Sequence, residues 1–313
     1  MDFKSFTDPL LKLNDCDICP RECHADRFTS QLGFCRSDAS FTISSICIHK
    51  GEEPVISGDT GICNIFFTHC NLQCIYCQNF QISDNTTPVS SAVMALEDVI
   101  LRVSSILDSG INRVGFVSPS HFVPQMKIII HTVESLGYKP VWVYNSNGYD
   151  KPETLRSLEG LIDVYLPDFK YMEAGLAGEY SDARDYPENV SLALKEMFRQ
   201  KGSVLHLDEN NNALSGMIIR HLVLPGHIEN SMKVLNFIAE ELSPKLHISL
   251  MSQYFPTPKV SCHPLLKNTV NPEEYAVVVS GMEELDLHNG WVQDLDSSSH
   301  YRPDFEQEQP FVV

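Results

Sequence analysis

The sequence predicts an α/β fold in the form of a partial barrel of about six strand–helix units. Apolar runs of four to six residues alternate along the chain with longer stretches of helical periodicity. The first of these runs is followed directly by a loop with three cysteines, the cysteine loop (residues 70–77). Parallel α/β sheets place their active sites at the carboxyl ends of strands, so we expect this loop to lie at the active site. Six units are fewer than the eight of a closed barrel, so the sheet is expected to stay open.

The individual elements follow from apolar periodicity and from turn residues. Buried strands are predicted at 63–67, 113–117, 141–144, 161–166 and 246–250. Helices are predicted from Ser90 or Ser91 to Leu107, with Val93 on the apolar face, and over 122–136, 152–158, 187–200, 228–242 and 272–287. A hairpin over 204–223, with its turn at 208–212, interrupts the alternation.

Three parts of the chain are expected. Residues 1–60 form a cysteine-rich N-terminal cap and a connecting loop, residues 61–255 form the barrel, and residues 256–313 form a short C-terminal extension. The connecting loop is read from His49 to Gly61, a polar stretch with several glycines and a proline. The acidic tail from Asp296 has little pattern and is left unassigned.

Composition favours a globular protein of the cytoplasm. The chain is 43% hydrophobic and 20% charged, which is ordinary for a folded domain. A formal charge of −18 argues against nucleic acid binding, because phosphate backbones are bound by Lys and Arg. The first fifteen residues carry five charged side chains and lack the apolar core of a signal peptide. No later run approaches the roughly 18–20 apolar residues of a membrane span, so no membrane partner is expected.

The Cys-x3-Cys-x2-Cys spacing of the cysteine loop fits a cubane iron–sulfur cluster. Its three thiolates can each bind one iron, which leaves the fourth iron without a protein ligand. A cluster used only for electron transfer normally has all its irons closed by cysteines. The open iron therefore indicates a site for a substrate or cofactor. The alternative is a reduced thiol group or a zinc knuckle without catalytic chemistry.

A second group, the N-terminal cysteine group, consists of Cys16, Cys19, Cys23 and Cys35. The cytoplasm keeps thiols reduced, so clustered cysteines indicate metal rather than disulfides. Four thiolates can close a zinc site or hold a further iron–sulfur cluster, and the spacing fits both. Metal binding would order this short segment with little apolar core, and a structural cap is the expected role. The other cysteines are expected to be small buried apolar residues: Cys47, Cys63 and Cys262.

With this loop and this alternation, the chain resembles the radical S-adenosylmethionine (SAM) superfamily. The resemblance is greatest to the branch of the pyruvate formate-lyase activating enzyme, and it extends from residue 63 to about residue 255. It implies a partial (β/α)6 barrel of the radical SAM type. In that family the three cysteines hold a 4Fe–4S cluster whose open iron chelates the amino and carboxylate groups of SAM. Cys70, Cys74 and Cys77 match those ligands one for one.

The resemblance also implies contacts with SAM near the cysteine loop. Tyr76, the aromatic residue before the last cysteine, matches the family's adenine contact. Ser118-Pro119-Ser120-His121 stands where the family commonly has Gly-Gly-Glu, which contacts the SAM amino group. In this chain the hydroxyls of Ser118 and Ser120 are the candidates to accept from that ammonium.

Further contacts are implied by three later segments. Asn145-Ser146-Asn147-Gly148 and Asp168-Phe169-Lys170 resemble segments that lie over the cofactor and help to hold a monovalent cation. Arg220 matches an arginine that lies near SAM, where a guanidinium suits a carboxylate or ribose hydroxyls. The candidate residues are therefore Asn145, Asp168, Lys170 and Arg220.

The implied reaction is reductive cleavage of SAM to methionine and a 5′-deoxyadenosyl radical, which abstracts hydrogen from a substrate. The implied substrate is a glycine of a partner glycyl radical enzyme, with another peptide or a small molecule as the alternative. A flavodoxin or ferredoxin would be the reductant. The competing interpretation is a non-enzymatic zinc or iron–sulfur protein that binds metal or transfers electrons.

Overall fold

The structure is a computed structural model, and it describes residues 8–29, 31–88, 92–299, 302–307 and 309–311. Its centre is a single sheet. The strands of the described residues are β1 (Phe41–His49), β2 (Ile62–Phe67), β3 (Val93–Met94), β4 (Arg113–Val117), β5 (Val141–Asn145), β6 (Val164–Tyr165), β7 (His206–Leu207), β8 (Ala213–Leu222), β9 (His247–Met251) and β10 (Gly290–Val292).

The strand order is β10-β9-β8-β6-β5-β4-β2-β1-β3, with β7 paired to β8. Seven of these strands pair in parallel with one another along this path and follow one another in chain order: β2, β4, β5, β6, β8, β9 and β10. The other three, β1, β3 and β7, pair antiparallel. A sequential parallel sheet with helical returns is a partial barrel, so the predicted fold class is confirmed.

Helices fill the returns between the parallel strands. The α-helices of the described residues are α1 (Pro54–Ser57), α2 (Phe80–Ser83), α3 (Leu96–Asp108), α4 (Val123–Ser135), α5 (Pro152–Arg156), α6 (Ala174–Ser181), α7 (Tyr186–Lys201), α8 (Ile228–Phe237) and α9 (Pro272–Glu284). A π-helical turn continues α8, and 3-10 turns lie at Asp8–Asn14, Pro119–His121, Pro258–Val260 and Leu295–Ser299. None of the helices in this part of the chain is long and apolar enough to span a membrane.

The core lies between the sheet and these helices. Every residue of β2 and β4 is buried, as expected for parallel strands with both faces covered. Helix α3 buries Val99, Ile100, Val103 and Leu107, a helical stripe that packs in the main apolar cluster with the β4 residues Val114 and Phe116.

Several elements differ from the sequence predictions. Helix α3 begins at Leu96, and Val93 lies in β3 instead of on the helix; Ser90 and Ser91 lie outside the described residues. The segment predicted as a connecting loop contains α1, a helix of one turn that begins at Pro54. Strand β1 was not predicted, because residues 41–49 have no clear strand periodicity of their own. The strand forms through antiparallel pairing with β2.

Candidate active site

The carboxyl ends of the parallel strands meet around one cavity. The cysteine loop follows β2, Ser118 follows β4, and Asp168 lies just beyond β6, while Asn145 ends β5 and Arg220 lies near the end of β8. All of these residues line the cavity. The sequence places them far apart, and the sheet brings them together because β2, β4, β5, β6 and β8 run in the same direction.

Three sulfurs of the cysteine loop face this cavity, and each accepts a hydrogen bond from a side chain elsewhere. The donors are Asn147 Nδ2 to Cys70 at 3.2 Å, Ser181 Oγ to Cys74 at 3.0 Å and Ser83 Oγ to Cys77 at 3.2 Å. Hydrogen bonds of this kind stabilise thiolate sulfur and tune the potential of a bound cluster. The donor set is therefore suited to thiolates that bind iron.

Burial keeps the thiols of Cys70 and Cys74 protonated while no metal is bound. Burial raises the pKa of Cys70 to about 12 and that of Cys74 to about 11. At neutral pH such buried thiols become thiolates only when a nearby cation offsets the burial, and iron provides that charge. The residues present fit a cluster, and its binding would release protons.

A charged network fills the side of the cavity formed by β5, β6 and β8. The Arg220 guanidinium donates through Nε to Asp168 at 2.8 Å and through Nη2 to the side-chain amide oxygen of Asn145 at 2.6 Å. It also reaches a carboxylate oxygen of Glu52 at 3.3 Å. Lys170 Nζ pairs with Asp168 at 2.6 Å. The cavity thus offers two cations and two carboxylates to a zwitterionic ligand.

The pKa values of Asp168, Lys170 and Arg220 keep these three groups charged at neutral pH. Burial opposes the charged forms, but Arg220 and Lys170 together hold the pKa of Asp168 below its usual range. Burial likewise works against the Lys170 ammonium, and the Asp168 carboxylate raises the pKa of Lys170 above its usual value. The ion pairs therefore persist in the absence of a ligand.

The predicted adenine contact, Tyr76, is buried and lines the cavity. Its hydroxyl bonds to the Tyr171 hydroxyl at 2.5 Å, which in turn bonds to Ser181, the residue that donates to the second cysteine. Ser118 lines the cavity with its backbone in the left-handed region at φ 52°. Ser120 is fully buried and is not among the described residues that line the cavity. Their roles stay predictions.

Sequence reasoning missed several residues of the site. Asn147 lies in segment 145–148, which resembles the family, but it is not among the predicted site residues. Its side-chain amide donates hydrogen bonds to the Cys70 sulfur and to the Asn71 side-chain oxygen. Gly148, with φ 78°, lets that segment approach the Asp168 backbone closely. Glu52 lies in the segment predicted as a connecting loop, and no signal in the sequence linked it to the barrel.

The C-terminal tail forms part of the cavity wall, although its sequence had no assigned role. Phe311 lines the cavity and packs against His49 with ring centroids 4.0 Å apart and the rings tilted by 46°. Phe305 and Phe311 both pack against Phe66 of β2. This aromatic cluster covers the cavity beside the first parallel strand.

The N-terminal cysteine group lies outside this cavity. Its four members line a second, smaller cavity. In the described part of the chain, no three His, Cys, Asp or Glu side chains have the arrangement that holds a single metal ion. Of the cysteines expected to be buried apolar residues, Cys47 and Cys63 are buried; Cys262 is exposed, so that prediction was wrong.

No family model matches the chain. An uncharacterized protein of Methanocaldococcus jannaschii is 29% identical over 280 residues, which are 87% of this chain and 75% of the relative. The similarity therefore covers most of the chain.

Solved structures with a similar fold include the FeFe-hydrogenase maturase HydG from Carboxydothermus hydrogenoformans. It is 12% identical, with a TM-score of 0.50 over 78% of this chain and 60% of HydG. Streptococcus suis SuiB is 14% identical, with a TM-score of 0.47 over 72% of this chain and 47% of SuiB. The protein anSMEcpe with bound AdoMet is 13% identical, with a TM-score of 0.47 over 74% of this chain and 58% of its own. This chain spans about half to three fifths of these structures. At such identity the likeness is one of fold alone, and the likeness to HydG agrees with the partial barrel.

Proposed function

We propose that the protein is a radical SAM enzyme that holds a 4Fe–4S cluster on its cysteine loop and binds SAM in the adjoining cavity. One observation carries the proposal: three sulfurs face one cavity at the carboxyl ends of parallel strands, and each accepts a hydrogen bond. When bound, such a cluster supplies one electron to the SAM sulfonium, which yields methionine and a 5′-deoxyadenosyl radical that takes a hydrogen atom from a substrate.

The charged network suits the amino acid end of SAM. Arg220 and Lys170 provide donors for a carboxylate, and Asp168 and Glu52 provide acceptors for an ammonium. Because these residues already pair with one another, SAM would exchange one ion pair for another. It would not have to neutralise a bare buried charge.

The remaining candidates suit the adenosine end. Tyr76 is held in place through its hydroxyl by Tyr171, so its ring can present a fixed apolar face to adenine. The Ser118 hydroxyl lies on the cavity wall as a donor and acceptor. Leu72 and Phe311 add an apolar lining that helps to exclude water from a reactive radical.

For the substrate we infer the glycyl-radical activating type, in which a glycine Cα–H of a partner protein is the hydrogen donor. The support is that segments 145–148 and 168–170, which resemble that branch, both contribute to the cavity wall. A different peptide or a small molecule is the alternative. A flavodoxin or ferredoxin would provide the electron, and the cytoplasm would keep the ten cysteines reduced.

The proposal is tested by SAM cleavage. Protein reconstituted with iron and sulfide without oxygen, and reduced with dithionite, should turn SAM into methionine and 5′-deoxyadenosine. Cys77→Ala should abolish this cleavage, and the matched control Cys262→Ala should retain it because that cysteine is exposed and is not among the residues lining the cavity.

Undiminished cleavage by Cys70→Ala, Cys74→Ala and Cys77→Ala would refute the assignment. A colourless protein that contains only zinc would instead support the non-enzymatic interpretation. Deuterium that moves from a candidate substrate into 5′-deoxyadenosine would identify the substrate class. A radical on a glycyl partner would establish the activating type.

A further inference from the structure

The four residues of the N-terminal cysteine group surround one small cavity. A zinc ion bound by four cysteines holds every sulfur about 2.3 Å from itself, so the sulfurs of such a site lie close together. In the described part of the chain, no three His, Cys, Asp or Glu side chains have an arrangement of that kind. A cubane cluster separates its four cysteines more widely than a single ion does, so the spacing of this group favours iron and sulfide over zinc.

The backbone around this cavity is held in an unfavourable conformation. Glu22 and His24, which flank Cys23, have φ of 40° and 51°, and Arg36, which follows Cys35, has φ of 51°. Left-handed geometry costs about 1–3 kcal/mol for a non-glycine residue and persists only where the surroundings impose it. A metal site that supplies folding free energy is such a surrounding.

Space beside the third cysteine is kept open by a glycine. A Cβ atom at Gly33 would lie 2.9 Å from the Cys23 sulfur, so any larger residue would push into it. The amide nitrogen of Phe34 donates to the same sulfur at 3.2 Å. Cys23 therefore has the surroundings of a metal-bound thiolate, although its residue is exposed at the surface.

Two hydrogen-bonded routes join this group to the cysteine loop. The Asn85 amide donates to the carbonyl of Phe34, the neighbour of Cys35, at 2.9 Å, and to the Cys70 carbonyl at 3.0 Å. The Asn85 side-chain oxygen accepts from the Cys70 amide nitrogen at 3.0 Å. Independently, Arg21 donates through Nε to the carbonyl of Asn71 at 2.9 Å. The cap thus packs directly on the residues that carry the first cluster ligand.

Two arginines balance the charge that four thiolates would bring. Arg21 and Arg27 both line the cavity, and Arg27 is only 1% exposed. Arg27 donates to the backbone carbonyls of His121 and Asp38, at 2.6 Å and 2.7 Å, and not to a carboxylate. Its positive charge is therefore available to the cysteines beside it.

We propose that the N-terminal cysteine group holds a second 4Fe–4S cluster, closed by four thiolates, that passes electrons to the cluster on the cysteine loop. A small low-potential electron-transfer protein reduces it by one electron on the exposed Cys23 side. The second cluster is reoxidised when it passes this electron, by way of Asn85, to the cluster on the cysteine loop. No covalent bond forms or breaks. The relay rests on the proposed function, whereas the second cluster does not.

The cluster is tested by counting metals in the full chain after anaerobic reconstitution. Wild-type protein should hold about eight irons and Cys16→Ser about four, because each cubane contains four. The triple variant Cys70→Ala, Cys74→Ala and Cys77→Ala should also hold about four irons while SAM cleavage is absent. Iron content unchanged in Cys16→Ser, or zinc in place of iron in the triple variant, would overturn the inference.

The triple variant leaves the N-terminal cysteine group unchanged, so its iron content tests for the second cluster even if Cys16→Ser does not fold. It also separates the two proposals, because its iron does not depend on SAM chemistry. The relay is tested in Cys16→Ser by comparing reductants. Cleavage driven by reduced flavodoxin should be lost, while cleavage driven by dithionite, a small molecule that reaches the open cluster directly, should persist. Equal flavodoxin-driven rates in the variant and the wild type would overturn the relay.

Discussion

Replacing Arg220 by leucine should destabilise the apo protein by about 4 kcal/mol, since loss of one partner of a buried ion pair costs roughly 3–5 kcal/mol. The guanidinium is only 16% exposed and donates to two carboxylates and one amide oxygen. Arg220→Leu would leave the carboxylates of Asp168 and Glu52 near each other with Lys170 as the remaining cation. The pKa of Asp168 would rise, because Arg220 is the strongest of the charges that lower it.

The assay is urea unfolding followed by circular dichroism, with the free energy of unfolding compared between variants. Lys195→Leu is the control, because its 2.8 Å pair with Glu241 joins side chains that are 47% and 53% exposed. An exposed pair contributes about 0.2–1 kcal/mol, so this variant should lose less than about 1 kcal/mol. If Arg220→Leu lost no more than Lys195→Leu, the network would not be the buried, coupled unit that the contacts indicate.

Three further predictions concern residues in and beside the site. Burial lowers the pKa of His221 to about 4, below its value of about 6.5 in the unfolded chain. The free energy of unfolding of the wild type should therefore fall by up to about 3 kcal/mol as the pH drops from about 6.5 to 4. His221→Gln should show a smaller fall when unfolding curves are measured across this pH range. Asn147→Ala removes the donor to Cys70 and should lower the midpoint potential of the reconstituted cluster in a redox titration; an unchanged potential would contradict this role. Gly148→Ala should cost about 1–3 kcal/mol more than Gly110→Ala, since both have positive φ and only Gly148 meets a backbone carbonyl; equal melting temperatures would contradict this.

Elements with a local signal could be predicted from the sequence. Strand β4 has the predicted bounds, because five buried residues in a row leave no ambiguity. Strands β1 and β10 could not be predicted, since each depends on pairing with a neighbouring strand, β2 and β9 respectively. The helix α3 boundary was misplaced because Val93 continues the apolar pattern of the helix while pairing with Thr42 of β1.

The site residues divide in the same way into those with a local signal in the sequence and those without one. Residues that closely follow a strand, such as Cys70 and Asp168, could be expected to share one cavity because the carboxyl ends of parallel strands converge. Ser181 and Ser83 donate to cysteine sulfurs from helices whose packing the sequence does not specify. Glu52 reaches Arg220 only through the folding of a segment with no periodicity of its own.

Electron–nuclear double resonance of the reduced, reconstituted protein, with SAM labelled in its amino group or carboxylate, tests most directly whether the proposed cluster on the cysteine loop has an open iron that binds SAM. We expect a hyperfine coupling between the cluster and the labelled atoms in wild-type protein. A reduced cluster that forms normally and shows no coupling to either label would contradict the proposal.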